Sequence, residues 1–402
     1  MEDIFSNEDL AMEILSRLSA KNLLRCKCVS KRWRSLISDP SFVRIHHQRS
    51  RCISGLLVQE FKEYGGNFCG DDFFLYASVN GELGIFKLMD DSFPQPTSVI
   101  MASCDGLICY RSRRTRDVEV LDIVVWNPMT QERLTLRPTD CHVGSIFGLA
   151  FYPFGSSAKM IPCFKVVSIQ RLKHDQNSYS FVIYSSETGK WKTSLEVCCC
   201  RDELYENKHI YNIITFEVDE ELSGVITVPG PKWLDRDVRL ACLGDSDGYL
   251  HYVCVDMSEL RVWMLTDPCK PIWVLKHHIN IDRFGEESRD RYLHRVRNSP
   301  EMIGNYFVVD AQTFHDEVVY LSIRGRLCSY DFKTGRLRSF FYGLYLRHQT
   351  KVQATVLPYS PTLATIGIPW VKQNSGSASI SFDLTSFNYK GRPRKKLKAR
   401  KT

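Results

Sequence analysis

Over the first fifty residues apolar positions recur at helical spacing, and beyond them the period becomes that of strands. Leu10, Ile14, Leu15 and Leu18 line one face of a helix that Ser6 or Asn7 can cap, with Glu8 and Asp9 placing negative charge in its first turn. Ser19 or Asn22 caps a second segment carrying Leu23, Leu24, Cys26, Cys28 and Val29, and Ser30 caps a third carrying Trp33, Leu36 and Ile37. Asp39-Pro40 is expected to stop the helical run, because the residue before proline avoids helical backbone. Three helices this short cannot bury their own apolar faces, so the rest of the chain or a partner must cover them. Between the apolar positions lie Arg17, Lys21, Arg25, Lys27, Lys31, Arg32 and Arg34, which make the outer surface basic.

From about Arg51 onward short apolar runs alternate with turn residues, as in Leu107–Tyr110, Ile123–Trp126, Phe181–Tyr184, Tyr249–Val253 and Val318–Leu321. A weak repeat organises them. A run ending in an aromatic meets a turn and then a polar strand at Val125–Glu132, Ile183–Trp191 and Ser329–Leu337, with a looser copy at Val262–Asp267. A second element, a tight turn followed by a strand, recurs at Asp105-Gly106, Asp247-Gly248 and, with Arg for Asp, Arg324-Gly325. Hairpins repeated in this way predict β-propeller blades, with a pair of β-sandwiches as the competing architecture. At roughly 40 to 50 residues per blade the length admits six to eight, and seven is the favoured number. The expected organisation is therefore a helical unit over 1–50, a large all-β domain over 51–389 and a basic tail over 390–402.

Composition sharpens this picture in two places. The formal charge of +7 is a property of the tail: eight cations between Lys390 and Lys401 meet no acid, and without them 45 basic residues face 46 acidic ones. The body is thus close to neutral and gives no argument for a nucleic-acid-binding face. Arg392, Arg394, Lys395, Lys396 and Lys398 read as a nuclear-import signal, with a solvated tail as the plain alternative. The fifteen cysteines show no zinc spacing, and the adjacent Cys198, Cys199 and Cys200 do not converge readily on one tetrahedral metal. No window reaches the ~20 apolar residues of a membrane span, so a soluble intracellular chain with reduced cysteines is expected.

Two stretches resemble known families. Glu8–Leu18 followed by Leu23–His46 closely resembles the F-box, the motif that docks a substrate receptor onto the Skp-type adaptor of a cullin-RING ubiquitin ligase. It departs from the family where the usual opening Leu-Pro falls on Ser6-Asn7 and where a common Pro falls on Ser19. Ala102–Cys109, Trp126–Thr130, Phe147–Pro153, Phe164–Val167 and Tyr184–Trp191 occur in the order found in the plant F-box-associated domain.

The resemblance implies a non-enzymatic substrate receptor of an SCF-type ligase, reaching cullin and RING subunits through the adaptor and presenting a protein target of unknown identity. Leu10, Ile14, Leu15, Leu18, Leu24, Val29 and Trp33 are the expected adaptor-binding residues. Trp233 and Arg236, in a segment set by Pro229-Gly230-Pro231, are the residue types of a recognition loop, although a Trp packed between blades is the commoner outcome. A cluster at Arg111, Arg113, Arg114 and Arg116 would suit an acidic partner or a solvated loop. His46-His47 and His277-His278 lack a third metal ligand nearby and are expected to be structural or at the surface. No nucleophile elbow, phosphate loop or paired-carboxylate constellation is present, so neither cofactor, metal nor catalytic residue is expected. The competing reading is a nuclear nucleic-acid-binding or scaffold propeller that uses the basic tail. The expected location is nucleus or cytoplasm, with no membrane association.

Overall fold

The computed structural model describes residues 8–49, 55–64, 67–70, 73–78, 83–87, 98–113, 121–138, 145–154, 162–172, 174–175, 177–200, 212–229, 241–256, 259–281, 309–323, 326–341 and 354–366. The chain opens with four helices, α1 (Glu8–Leu15), α2 (Ala20–Cys26), α3 (Lys31–Ser38) and α4 (Pro40–Arg49). Ser19 caps α2 by accepting the Asn22 N–H, and Ser30 caps α3 by accepting the Trp33 N–H, as their spacing predicts. Asp39-Pro40 does end α3, but it also starts α4, which corrects the expectation that the helical run stops there. Proline suits the first helical position because its missing N–H would have no partner there. Asp39 then takes up the freed donors, its carboxylate accepting the Ser41 N–H at 2.8 Å.

The remaining strands fall into six antiparallel groups. The first contains β1 (Gly55–Tyr64), β2 (Asn67–Gly70), β3 (Phe73–Ser78) and β4 (Leu83–Lys87), and β1 also pairs along its other edge with the last strand, β23 (Ala354–Tyr359). The second is β5 (Val99–Cys104), β6 (Leu107–Arg113), β7 (Leu121–Asn127) and β8 (Glu132–Leu136). The third is β9 (Ile146–Tyr152), β10 (Cys163–Arg171), β11 (Ser178–Ser185) and β12 (Lys190–Cys199). A hairpin of β13 (Asn212–Glu217) and β14 (Leu222–Thr227) is the fourth. The fifth is β15 (Ala241–Ser246), β16 (Tyr249–Asp256), β17 (Glu259–Asp267) and β18 (Ile272–Asn280), and the sixth is β19 (Val309–His315), β20 (Val318–Ile323), β21 (Arg326–Asp331) and β22 (Arg336–Phe341).

Six apolar clusters join these groups, one between each neighbouring pair. Leu57 and Tyr359 pack on Ile108 and Trp126, and Leu107 and Val125 pack on Phe147 and Phe164. Phe181 and Ile183 meet Ile214 and Phe216, and Ile213 and Val228 meet Tyr252 and Cys254. Val253 and Leu260 meet Phe314 and Val319, while Tyr320 and Leu327 return to Leu56 and Val356 of the first group. The last contact closes a ring, so the groups are blades of a propeller. Among the described residues there are six, within the expected six to eight and one fewer than the favoured seven.

Both sequence repeats take fixed places in the blades. The aromatic-turn-polar element is the turn between third and fourth strands of blades 2, 3, 5 and 6. Asp105-Gly106 and Asp247-Gly248 form the first turn of blades 2 and 5. The matching turn of blade 6 is Asp316-Glu317; Arg324-Gly325, which precedes β21, lies outside the described residues. Inner strands β15 and β19 run parallel, Gly244 opposite Phe314 and Asp245 opposite His315, so first and third turns of these blades share one face of the ring.

Candidate functional site: the helical unit and its seat on the ring

The helical unit has an interior of its own. Ala11, Leu15, Ala20, Leu23, Leu36, Ile37 and Phe42 are buried together, with Leu18, Leu24 and Trp33 partly buried against them. Two residues of the β domain complete this core, Met129 from the β7–β8 turn and Leu363 from the segment after β23. The cover that so small a unit needs is thus supplied in part by the chain itself. Leu10 and Ile14 remain 40% exposed and Val29 67% exposed. The seven expected adaptor-binding residues therefore divide: Leu15, Leu18, Leu24 and Trp33 hold the helices together, and Leu10, Ile14 and Val29 face outward.

Polar contacts fix the fourth helix against the first. Arg49 donates to Glu13 Oε2 at 2.6 Å and to Ser16 Oγ at 2.5 Å. The bonds from Arg49 and Arg17 hold the Glu13 carboxyl below its usual range. Buried His46 donates from Nε2 to the Leu18 carbonyl at 2.9 Å, and burial lowers its pKa against the opposing pull of that bond. The neighbouring face of α4 meets the ring. Arg44 lies 5.1 Å above the Phe154 ring, His47 meets the same ring edge-on at 5.3 Å, and Val43 joins the core between blades 2 and 3.

The seat itself is organised by Asn127, which is fully buried. Its side-chain carbonyl accepts the Met129 N–H at 2.9 Å and so shapes the turn that carries Met129 into the helical core. Its amide donates to the carbonyls of Ala364 at 2.7 Å and Thr362 at 3.4 Å. Glu132 adds a second anchor by accepting the Ile366 N–H at 2.7 Å. A Cβ at Gly106 would fall 2.6 Å from Thr362 Cγ2, so the glycine is needed for this close approach as well as for its φ of +87°.

A polar cluster between blades 5 and 6 escaped the sequence pattern. Glu317 sits where blades 2 and 5 have glycine, at φ 64°, and Lys276 and His277 of β18 both donate to its nearly buried carboxylate. Burial raises the pKa of Glu317, but the bonds and charges of Lys276 and His277 together lower it below the usual value. Aligning the first turns of blades 2, 5 and 6 places Glu317 at the glycine position of the other two. His277 also stacks on Phe332, with ring centroids 4.1 Å apart.

Several expected sites lie elsewhere. Trp233, Arg236, Ser6-Asn7, Arg114, Arg116 and the tail cations Arg392, Arg394, Lys395, Lys396 and Lys398 lie outside the described residues. Arg111 and Arg113 end β6. Cys198 and Cys200 are buried and Cys199 is exposed, as alternation along the end of a strand requires. Among the described residues no group of His, Cys, Asp and Glu is placed to hold a metal, and no helix is long and apolar enough to cross a membrane.

Comparison with known proteins gives this arrangement its context. Residues 7–45 match the F-box domain. The F-box is thus the four-helix unit whose core Met129 and Leu363 complete. Residues 83–220 match a second family, described as "F-box protein At3g26010-like, beta-propeller", which here runs from β4 of blade 1 through blades 2 and 3 into blade 4. The F-box protein At5g07610 of Arabidopsis thaliana is 25% identical over 339 residues, covering 78% of this chain and 76% of its own. The F-box/kelch-repeat protein At3g17530 of the same plant is 28% identical over 195 residues, 46% of this chain and 47% of its own. Among solved structures, the tricorn protease aligns at 12% identity and a TM-score of 0.31 over 70% of this chain and 30% of its own, a likeness too weak to bear on function. The chain therefore carries an N-terminal helical F-box followed by a large all-β, propeller-like domain related to those of plant F-box proteins.

Proposed function

We propose that the chain is the substrate-recognition subunit of an SCF-type cullin-RING ubiquitin ligase. Its F-box would dock on a Skp-type adaptor, reaching cullin and RING subunits through it, while the propeller holds a target protein. The observation that carries the reading is the division within the F-box. Its core is filled without Leu10, Ile14 and Val29, and these apolar side chains stay exposed on a segment that matches the F-box domain. The sequence from Ala20 to Ser38 carries Lys21, Arg25, Lys27, Lys31, Arg32 and Arg34 and no Asp or Glu, a net positive stretch that an acidic adaptor surface would complement.

The receptor's contribution is proximity. Holding adaptor and target on one chain raises the effective concentration of the target's lysines at the ligase, with the transfer chemistry supplied by other subunits. Trp233 and Arg236 are proposed as part of the target-binding surface. The cluster from Arg392 to Lys398 is proposed as a nuclear-import signal.

Co-purification of the full-length chain with a purified Skp-type adaptor tests the docking. Ile14→Asp combined with Val29→Asp changes exposed positions only, so the fold should persist and adaptor recovery should drop at least tenfold, the effect of about 1.4 kcal/mol. Undiminished recovery would sink the docking reading.

A further inference from the structure

Closure of the ring and seating of the F-box meet in one short segment. β23 pairs along β1 from Ala354 to Tyr359 and completes blade 1. The chain then continues through residues 360–366 with buried side chains at Thr362, Leu363, Ala364 and Ile366. Leu363 belongs to the F-box core, whereas Ala364 and Ile366 belong to the core between blades 2 and 3. Its backbone groups are held by side chains of blade 2, the Thr362 and Ala364 carbonyls by Asn127 and the Ile366 N–H by Glu132.

We propose that residues 360–366 are a strap that makes fixed seating of the F-box conditional on closure of the propeller ring. The strap reaches blade 2 only from the end of a β23 paired with β1. If that strand leaves, Leu363 is withdrawn from the F-box core and both Asn127 donors lose their acceptors. An unclosed ring therefore presents a loosened F-box whose orientation is no longer set. The coupling is reciprocal: anything that clamps the F-box onto Met129 and Leu363 also protects β23 from opening. A C-terminal segment that merely covers blade 2 would lack this property, since its release would leave the helices undisturbed.

Hydrogen exchange of the full-length chain, read by mass spectrometry, separates the two. Asn127→Ala removes the central anchor and should speed exchange about tenfold both in residues 354–366 and in α1–α4, as expected for orphaning a buried carbonyl. Glu132→Ala, at a partly exposed position, loosens the Ile366 end alone and should raise the same two regions together by a smaller factor. It serves as the informative variant if Asn127→Ala does not fold. Val319→Ala, in the core between blades 5 and 6, lowers stability without touching the strap and should leave the F-box at its wild-type rate. Faster exchange in 354–366 with unchanged helices would overturn the coupling, as would an equal rise in the helices with Val319→Ala. The readout uses no adaptor, so its failure is distinct from failure of the docking reading.

Discussion

The side-chain amide of Asn127 donates to the carbonyl of Ala364 at 2.7 Å, across 237 positions of sequence. The same residue's carbonyl oxygen accepts the Met129 N–H two positions on. One buried side chain thus shapes a local turn and fastens the segment after β23 to it. Since a buried acceptor left without its donor costs on the order of 1–3 kcal/mol, Asn127 cannot be exchanged for an apolar residue of similar size without penalty. Its turn supplies one of the two β-domain residues that complete the F-box core.

The two Asp-Gly turns should respond very differently to the same substitution. Gly106→Ala places a Cβ 2.6 Å from Thr362 Cγ2 and 2.7 Å from Thr362 N, on top of the strain of φ +87°. Gly248→Ala meets nothing within 4 Å and carries only the strain of φ +79°. Chemical denaturation should show a loss of about 1 kcal/mol at Gly248 and about 3 kcal/mol or more at Gly106. Equal losses would mean that residues 360–366 do not approach the Gly106 turn.

Gly244 marks the closest approach of inner strands. A Cβ there would lie 2.0 Å from the Phe314 carbonyl oxygen, so Gly244→Ala forces β15 and β19 apart. The expected cost is about 3 kcal/mol or more, in the range of severe overpacking, with the midpoint in urea shifted accordingly. An unchanged midpoint would contradict the parallel pairing of the fifth and sixth blades.

Glu317 predicts an acid-sensitive contribution to stability. The folded protein binds its proton less readily than the unfolded chain, because Lys276 and His277 hold the carboxylate against the cost of burial. The contribution is complete above the unfolded value of about 4.5 and fades as pH falls through that value towards the lower folded one. Glu317→Gln should cost about 1–2 kcal/mol near pH 7 and flatten the loss of stability between pH 5 and pH 3. A variant with the wild-type slope would assign that slope to other carboxylates.

His46 acts at a higher pH with the same sign. Burial lowers its pKa and the charge of His47 adds to the effect, although the Leu18 carbonyl opposes both. The unfolded chain therefore takes up the proton first, and the F-box loses stability as pH falls below the ordinary value of about 6.5. Exchange rates in α1 and α4 should rise between pH 7 and pH 5.5 after correction for intrinsic rates. His46→Gln keeps a donor for Leu18 and should remove this rise; if the rise survives, another group titrates.

Local and periodic features were legible in the chain before any fold was known. The apolar spacing of α1, the Ser19 and Ser30 caps, the strand grammar and the third turns at Asn127–Gln131 and Ser186–Gly189 all depend on residues within a few positions of one another. The same local reading misjudged Pro40, because a proline that ends one helix can open the next when Asp39 turns to cap it. Blade number was bounded at six to eight but not fixed. Variable connections blur a repeat in sequence, and the six inter-blade clusters among the described residues are what count the ring.

What the sequence by itself determined is the pair of units, a small amphipathic helical cluster and a long repeat of hairpins, because hydrophobic period and turn chemistry are written along the chain. Tertiary structure alone decided which apolar residues of the first unit remain available. Leu15 and Ile14 are neighbours of one residue type class on the same helix, yet Leu15 is buried and Ile14 is 40% exposed. Leu15 lies in the core built by residues of α1 to α4 and completed by Met129 and Leu363, more than a hundred and three hundred positions away, whereas Ile14 lies outside it.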